Sequence, residues 1–324
     1  MSIKQLLEID KVLWAIDPFA DSVMLQRSAA WAIQELTKNN PSISVQPIYI
    51  VNDWAAEMVS QRHVRSFLEN LEAFGNDSLQ QIIHQIPLKN IRPLHILSSP
   101  YQSIEQGVRA LISHAERQNF KLIVASTRTH RGGAPFGLPG SFVESLSDQS
   151  ELPLMVVNQK WKRATGMHSI VFPSDLSEES YHWFLRTLEF SKYIRAKLTL
   201  FHKVYFPLSQ SIDVAVRILP ETRDLLFKKI KTSQAEARKW IQVAKKYGVK
   251  GSIVIDSHMQ SSLDDALLKC LDKHPGTIVI SPPLSATYPQ GTIRMLIRQT
   301  PYPMLMIPTL PRREAPAFGV RRAA

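Results

Sequence analysis

The chain has 324 residues, more than one compact core usually holds, and a typical domain of about 150 residues predicts two domains. Its hydrophobic fraction of 44% and charged fraction of 21% are typical of a globular protein and exclude a disordered chain. The 39 Lys and Arg residues outnumber the 28 Asp and Glu residues, and the net charge of +11 favours anionic partners: nucleotides, nucleic acid or an acidic lipid surface.

The start of the chain and its apolar runs bear on the compartment. The first ten residues include acids where a signal peptide would be apolar, and no run reaches the roughly 18 apolar residues that a membrane span needs. We therefore expect a cytoplasmic protein with no membrane partner. The single cysteine, Cys270, excludes an internal disulfide, and its apolar neighbours predict a buried, unreactive thiol.

The first half of the sequence alternates strand-like and helix-like segments. An apolar run at 11–17 ends in Asp17 and predicts a buried strand. The elements predicted after it, in chain order, are a helix around 29–36, a strand at 43–51, a long polar helix at 56–86, a strand at 92–97, a helix at 104–118, a strand at 121–125, and a short helix before a last strand at 152–157.

The second half repeats this order. An apolar run at 169–175 ends in Asp175, and Pro153 and Pro303 hold the same position in the two last strands. Such a repeat indicates two tandem copies of one domain. The elements predicted after Asp175 are a helix at 181–193, a strand at 196–202, a helix at 220–247, a strand at 251–256, a helix at 262–272, a strand at 277–280, and a short helix before a last strand at 302–307.

Each half is predicted to be a doubly wound, Rossmann-like α/β domain. Strands that are apolar along their length and alternate with helices form a parallel sheet covered on both faces. We expect a first domain at 1–160, a second at 161–310, and a tail at 311–324. That tail is basic, contains prolines and lacks apolar periodicity, so it is expected to be disordered.

The ends of the predicted strands suggest where a ligand would bind. In open parallel sheets, ligands bind beyond the carboxyl ends of the strands, near the point where the strand order reverses. This places Asp17, Val51 and the loop after Ala125 around one crevice. The Asp17 carboxylate could accept hydrogen bonds from a ribose or adenine. The alternative is a helix cap, and we favour the ligand role.

A loop rich in Gly, Arg and Thr follows the strand at 121–125. Gly140 and Ser141 open the next helix, whose free backbone N–H groups and dipole can bind an anion. Ser141 can cap that helix or contact a phosphate, and Arg128 and Arg131 can neutralise one. The loop is neither a Walker loop nor a dinucleotide fingerprint, and by itself it also fits an ordinary connection.

The element order together with this loop resembles the universal stress protein family, whose domain begins with a strand ending in Asp and carries a Gly-x2-Gly-x9-Gly-Ser/Thr loop for ATP. Gly133, Gly140, Ser141 and Phe142 resemble the family's loop, whereas the first two glycines of its motif fall on Thr127 and His130. The resemblance covers both halves and implies a site for ATP or another adenine nucleotide, with or without Mg²⁺. The residues expected to bind the nucleotide are Asp17, Val51, Thr127, Arg128, Thr129, Arg131, Gly133, Gly140, Ser141 and Phe142.

The second half departs further from the family. Its loop at 281–292 is shorter and has prolines where hydrogen-bond donors would be needed. The Gly-Ser pair falls on Gln290 and Gly291 without gaps, or on Gly291 and Thr292 after a one-residue slip. Asp175 could bind a ligand or cap a helix, and we favour the cap. We expect a degenerate second site at Asp175, Gly291 and Thr292.

The resemblance implies a nucleotide-binding stress-response regulator with an unknown protein partner. ATP hydrolysis would at most be slow and incidental, because no nucleophile is paired with an oriented base. The histidines show no metal-binding spacing. Domains of this family pair through their last strands, so 152–157 and 302–307 could meet as an internal pseudo-dimer, and a further homodimer stays open. The alternative is a nucleotide-free adaptor or a module that associates with nucleic acid.

Overall fold

The computed structural model describes residues 9–17, 24–51, 64–97, 103–127, 141–161, 167–204, 220–258, 261–280 and 290–308. Within these ranges, ten strands and eight helices alternate along the chain. The strands are β1 Lys11–Ala15, β2 Ser44–Ile50, β3 His95–Leu97, β4 Leu122–Ser126, β5 Leu154–Val157, β6 Ser169–Pro173, β7 Lys197–Lys203, β8 Gly251–Asp256, β9 Thr277–Ile280 and β10 Met304–Met306. The helices are α1 Met24–Asn39, α2 Val64–Gln85, α3 Ile104–Arg117, α4 Ser141–Gln149, α5 Glu178–Tyr193, α6 Pro220–Lys246, α7 Leu263–Lys273 and α8 Gln290–Gln299.

All ten strands form one sheet, in the order β3-β2-β1-β4-β5-β10-β9-β6-β7-β8. Neighbouring strands run parallel except β5 and β10, which pair antiparallel with Met155 opposite Leu305. Counted outward from that junction, the first half has the order β5, β4, β1, β2, β3, and the second half has the matching order β10, β9, β6, β7, β8. The strand order reverses between β4 and β1 in the first half and between β9 and β6 in the second. The predicted α/β fold with doubly wound parallel strands is therefore confirmed.

Two hydrophobic clusters cover the two faces of the sheet. Successive β1 side chains alternate between them: Val12 and Trp14 belong to one cluster, and Leu13 and Ala15 belong to the other. The first cluster packs under α1, α2, α5 and α6, and the second packs under α3, α4, α7 and α8. Burial on both faces explains why the strands are apolar along their length.

Cys270 lies in the second cluster, within α7. Its side chain is buried and forms no disulfide. Burial is the main cause that raises the pKa of the thiol to about 11, so the group stays a neutral thiol near neutral pH. The prediction of a buried cysteine is confirmed. No helix in the described part of the chain is long and apolar enough to cross a membrane.

Some element boundaries differ from the predicted ones. The strand predicted at 92–97 starts only at His95, because Pro93 has no N–H to donate to a ladder. The backbone before it contacts β2 at isolated points, including a bond from the Arg92 N–H to the Val45 carbonyl. The first residues of the helix predicted at 56–86 lie outside the described ranges, as does the tail at 311–324.

Candidate functional site

The carboxyl ends of the first-half strands meet at one edge of the sheet, called here the first carboxyl edge. Asp17 follows β1, is only 7% exposed, and lies beside the point where the strand order reverses. Its backbone carbonyl accepts a hydrogen bond from Gln26 Nε2 at 3.4 Å. Burial, and secondly the charge of Asp17, raises the pKa of Tyr49 in β2 well above its usual value. The Asp17 carboxylate is therefore a buried acceptor at this edge.

Val51 and Thr127 lie at the same edge. Val51 follows β2, is buried, and donates its backbone N–H to the Leu97 carbonyl at 3.1 Å. Thr127 follows β4, is half-buried, and donates its backbone N–H to the Val157 carbonyl at 3.0 Å. Because β2, β1 and β4 are neighbouring strands, the structure brings Val51, Asp17 and Thr127 to the first carboxyl edge.

The remaining predicted residues belong to the loop before α4 or to the first turn of that helix. Arg128, Thr129, Arg131, Gly133 and Gly140 lie outside the described residues. Helix α4 begins at Ser141, as its sequence position predicts, and Phe142 packs partly buried against the second cluster.

The start of α1 adds polar groups that the sequence did not single out. Ser28 Oγ donates to the carbonyls of Gln159 at 3.2 Å and Trp161 at 3.4 Å, which joins α1 to the chain after β5. Within the described residues, Gln26 Oε1, Gln159 Nε2 and Trp161 Nε1 are buried and have no hydrogen-bond partner. Buried polar atoms normally pair with protein, ordered water or ligand. This part of the first half therefore has buried hydrogen-bonding atoms that pair with no other described residue.

Asp175 is the counterpart of Asp17 in the second half. The residue before each aspartate makes the same backbone bond: the Ser174 N–H donates to the Phe201 carbonyl at 2.9 Å, and the Ile16 N–H donates to the Ile48 carbonyl at 3.0 Å.

The contacts of Asp175 are internal. Its Oδ1 accepts the Ser177 N–H at 2.9 Å and the Ser180 hydroxyl at 2.5 Å, at the start of α5. Burial opposes ionisation, but the bonds from Ser180 and Ser177 outweigh it and lower the pKa of Asp175. The N-cap of α5 is Ser177, whose hydroxyl accepts the Ser180 N–H at 3.1 Å. The Asp175 carboxylate therefore supports the start of the helix without being its cap.

His202 of β7 takes the place that Tyr49 has in β2. The buried ring lies 2.8 Å from the Ser174 carbonyl through Nδ1 and 3.2 Å from Ser233 Oγ through Nε2. Because a carbonyl only accepts, Nδ1 carries the proton and Nε2 accepts the Ser233 hydroxyl. Burial is the largest cause that lowers the pKa of His202, so the neutral ring is favoured.

A buried ion pair lies at the ends of β7 and β8. Lys203 Nζ donates to Asp256 Oδ2 at 2.7 Å, to the His258 carbonyl at 2.9 Å and to Ser261 Oγ at 2.9 Å. The Lys203 side chain is 4% exposed and its three N–H donors are all used. Burial opposes the ionisation of Asp256, but its contacts, above all that with Lys203, together outweigh burial and lower the pKa of this carboxyl. The hydrogen bonds of Lys203 join the strand ends to His258 and Ser261.

Gly291 and Thr292, the other residues expected in the second site, lie in the first turn of α8. The described residues contain no group of three His, Cys, Asp or Glu side chains that could hold a metal ion.

Helix α6 carries a row of cations on one face. Of its 27 residues, eight are basic and three are acidic, whereas its first-half counterpart α2 has one Arg and three acids. Five exposed cations fall within one side of the helix, over about 27 Å at a rise of about 1.5 Å per residue. This α6 basic stripe consists of Lys228, Lys231, Arg238, Lys245 and Lys246.

Comparison with known proteins relates this chain to solved structures through its fold. No protein-family model matches it, and no curated protein matches it in sequence. A universal stress protein from Archaeoglobus fulgidus DSM 4304 has a TM-score of 0.58 at 15% identity, covering 93% of this chain and 99% of that one. A protein from Pseudomonas aeruginosa UCBPP-PA14 that is assigned to the universal stress proteins has a TM-score of 0.52 at 14% identity, covering 94% and 95%.

A functionally unknown protein from Pseudomonas aeruginosa PAO1 is similar to the same extent, with a TM-score of 0.52 at 13% identity and 95% coverage of both chains. Sequence identities this low relate the proteins through their fold alone. The chain has the α/β fold of universal stress protein structures.

Proposed function

We propose that this chain is a tandem universal stress protein: a nucleotide-binding stress-response regulator with domains at 1–160 and 161–310, whose ligand site lies mainly in the first half. The ligand is an adenine nucleotide, and its occupancy changes the binding of a protein partner. Coverage of 93% of this chain and 99% of the Archaeoglobus protein supports the tandem arrangement.

The observation that carries this proposal is the place of Asp17. The residue is buried at the carboxyl end of β1, beside the point where the strand order reverses, which is where open parallel sheets bind ligands. Gln26 donates to its backbone carbonyl, and the Oε1 atom of the same Gln26 side chain is buried without a hydrogen-bond partner among the described residues. At the counterpart position in the second half, Asp175 accepts hydrogen bonds from Ser177 and Ser180 at the start of α5.

The chemistry of the first carboxyl edge suits a nucleoside. A buried carboxylate can accept hydrogen bonds from ribose hydroxyls or from the adenine amino group. The proposed phosphate contacts come from the loop before α4: the side chains of Arg128, Thr129 and Arg131, and the backbone at Gly140 and Ser141. Thr127 and His130 stand where the family has glycines. Side-chain donors would therefore replace part of the hydrogen bonds that the glycine backbone supplies in the family.

Calorimetric titration with ATP, ADP and AMP tests the proposal. Asp17→Asn keeps the shape of the side chain but removes its charge, and it is expected to weaken nucleotide binding by about 10- to 100-fold, the value of a hydrogen bond to a charged group. Asp175→Asn is the matched control, with the same change at the counterpart position and no expected effect. No binding by the wild type, or equal losses in both variants, would rule out a first-half nucleotide site.

The α6 basic stripe supports a second candidate function, association with nucleic acid. Five exposed cations in a row can neutralise successive phosphates, and counterion release then makes binding fall steeply with salt. If all five bind, the logarithm of duplex affinity should fall with the logarithm of salt at a slope of about −4.5.

This candidate is tested by neutralising the stripe to glutamine. Binding should weaken strongly and lose most of its salt dependence, while the nucleotide titration stays unchanged. The control replaces five scattered, exposed cations by glutamine, which changes the net charge equally: Lys89, Arg109, Lys160, Lys192 and Lys273. Equal losses from both sets would point to net charge and reject the stripe as a binding surface.

A further inference from the structure

The junction between the two halves has an internal pseudo-two-fold arrangement. Met155 and Leu305 lie opposite each other at the centre of the antiparallel β5–β10 pair. On the second cluster's face of the sheet, α4 and α8 lie beside this pair. Glu144 precedes Met155 by as many residues as Arg294 precedes Leu305, so these two helix residues are counterparts. Asp148 and Arg298 are counterparts in the same way.

Two ion pairs join α4 to α8 across this junction. Arg298 binds Glu144 through two hydrogen bonds from its guanidinium, Nε to Oε1 at 2.7 Å and Nη2 to Oε2 at 3.1 Å. Arg294 Nη2 binds Asp148 Oδ2 at 3.0 Å. Glu144 therefore pairs with Arg298, which is the counterpart of Asp148, and Asp148 pairs with Arg294, which is the counterpart of Glu144. This is the contact pattern of an isologous, two-fold interface.

The signs of the charges are segregated between the halves. Both participating residues of α4 are acids, and both participating residues of α8 are arginines. If two first halves met through the same geometry, Glu144 would face Asp148 twice. If two second halves met, Arg294 would face Arg298 twice. Like charges at these distances repel, whereas unlike halves form both ion pairs.

The apolar part of the junction does not make this distinction. Leu146 and Leu296 are counterparts, and both are fully buried in the same cluster. The paired strands carry similar apolar residues on both sides. Apolar contacts of this kind would form as well between like halves as between unlike halves. Discrimination therefore comes from the four charges.

We propose that Glu144, Asp148, Arg294 and Arg298 are a pairing code, so that the junction surface of the first half accepts a second half and rejects a copy of itself. Glu144 is 8% exposed, so facing another acid would leave its charge buried and opposed. The fitting partner of each surface is the unlike half, from the same chain or from a second copy. The pairing of two like halves through this surface is excluded.

Charge reversal in the full chain tests the code. The variant E144R/D148R places four arginines at the junction, and R294E/R298E places four acids there. Each is expected to lower Tm by about 5 °C. The four-fold variant reverses both sides and restores unlike charges, so its Tm should return to within about 2 °C of the wild type. Because the four-fold variant carries every substitution, its recovery distinguishes repulsion from simple misfolding.

A matched control is E72R/D77R, which reverses two exposed acids of α2 far from the junction and changes the net charge by as much as E144R/D148R does. It should leave Tm nearly unchanged. One-sided variants no less stable than this control, or a four-fold variant no more stable than the one-sided ones, would overturn the proposal.

The selectivity itself is measured by mixing. The two one-sided variants are unfolded together, refolded and examined by light scattering and native mass spectrometry. The basic halves of one chain can then pair with the acidic halves of the other, and a 1:1 heterodimer is expected from the mixture alone. A mixture without heterodimer, or with no more than a mixture of differently tagged wild-type chains gives, would refute the code.

Discussion

Lys203 and Asp256 form a buried ion pair, with 2.7 Å between Nζ and Oδ2, at the position that Ile50 and Leu97 hold in the first half. The correspondence is given by the strand register, because Lys203 lies opposite Asp256 as Ile50 lies opposite Leu97. The next backbone bonds also agree: the N–H of Val204 bonds the Asp256 carbonyl as that of Val51 bonds the Leu97 carbonyl. The two halves thus hold these strand ends by different chemistry.

Removing one partner of this pair should destabilise the protein more than removing both. Lys203→Met leaves the Asp256 carboxylate, 13% exposed, without its cation, and we expect a loss of about 3 kcal/mol in the free energy of unfolding. The double variant K203I/D256L installs the first-half residues and should lie within about 1 kcal/mol of the wild type. Urea unfolding measures both values. A double variant less stable than Lys203→Met would contradict this account.

The neutral state of His202 makes stability depend on pH. Because burial lowers its pKa, the unfolded chain binds the proton more readily than the folded one. The stabilisation is therefore complete above about pH 6.5, the ordinary pKa, and is lost as the pH falls through the lower pKa of the folded state. The nearby charges of Asp175 and Lys229 act on the ring in opposite directions.

The matched variant is His202→Gln, which can still donate to the Ser174 carbonyl but does not titrate. Unfolding free energies are measured for both proteins from pH 5 to 8. The advantage of the wild type should be constant above about pH 6.5 and should shrink below it. An advantage that is the same at pH 5 and pH 8 would show that the ring does not change protonation on folding.

Asp175 should contribute to stability and leave ligand binding unaffected. Asp175→Ala removes the acceptor for the Ser177 N–H and the Ser180 hydroxyl, at a cost of about 1 kcal/mol, typical of a lost hydrogen bond. Thermal unfolding measures this cost, and calorimetry of the same variant should give the wild-type affinity for nucleotide. A variant that binds nucleotide more weakly would place Asp175 in a ligand site.

Two glycines should respond in opposite directions to alanine. Gly276 precedes β9, and a Cβ there would lie 2.6 Å from the Ser169 carbonyl oxygen, so Gly276→Ala is expected to cost about 1–3 kcal/mol. Gly107 lies within α3, and its Cβ would meet Ile50 Cγ2 at 3.6 Å, an ordinary contact. Gly107→Ala should stabilise by about 0.5 kcal/mol through helix propensity. Urea unfolding compares the two, and a change of the same sign in both variants would contradict this difference in spacing.

The fold could be predicted because strands buried on both faces are continuous apolar runs, a pattern that can be seen in a short stretch of sequence. Strands such as β4 are apolar at each position, and the alternation with helices implies parallel order. The shorter β3 reflects Pro93, which the apolar pattern did not take into account. The position of Asp17 after the first strand was predictable for the same local reason.

The contacts of charged groups could not be predicted, because they depend on which strands and helices become neighbours. Lys203 and Asp256 are far apart in sequence, and only the β7–β8 register brings them together. The same holds for Glu144 and Arg298, whose helices meet only because β5 pairs with β10. The place of Asp175 near the start of α5 was predictable, since Ser177 and Ser180 are close in sequence, although the cap itself is Ser177.

The antiparallel pairing of β5 and β10 gives the molecule a polarity. Because all strands of one half run opposite to those of the other, the end of the sheet that carries Asp17 faces away from the end that carries Lys203 and Asp256. The proposed ligand site and the Lys203–Asp256 ion pair therefore lie at opposite ends of the sheet. Because the two sets of strand ends do not meet, a ligand at Asp17 would act on the second half through the β5–β10 junction.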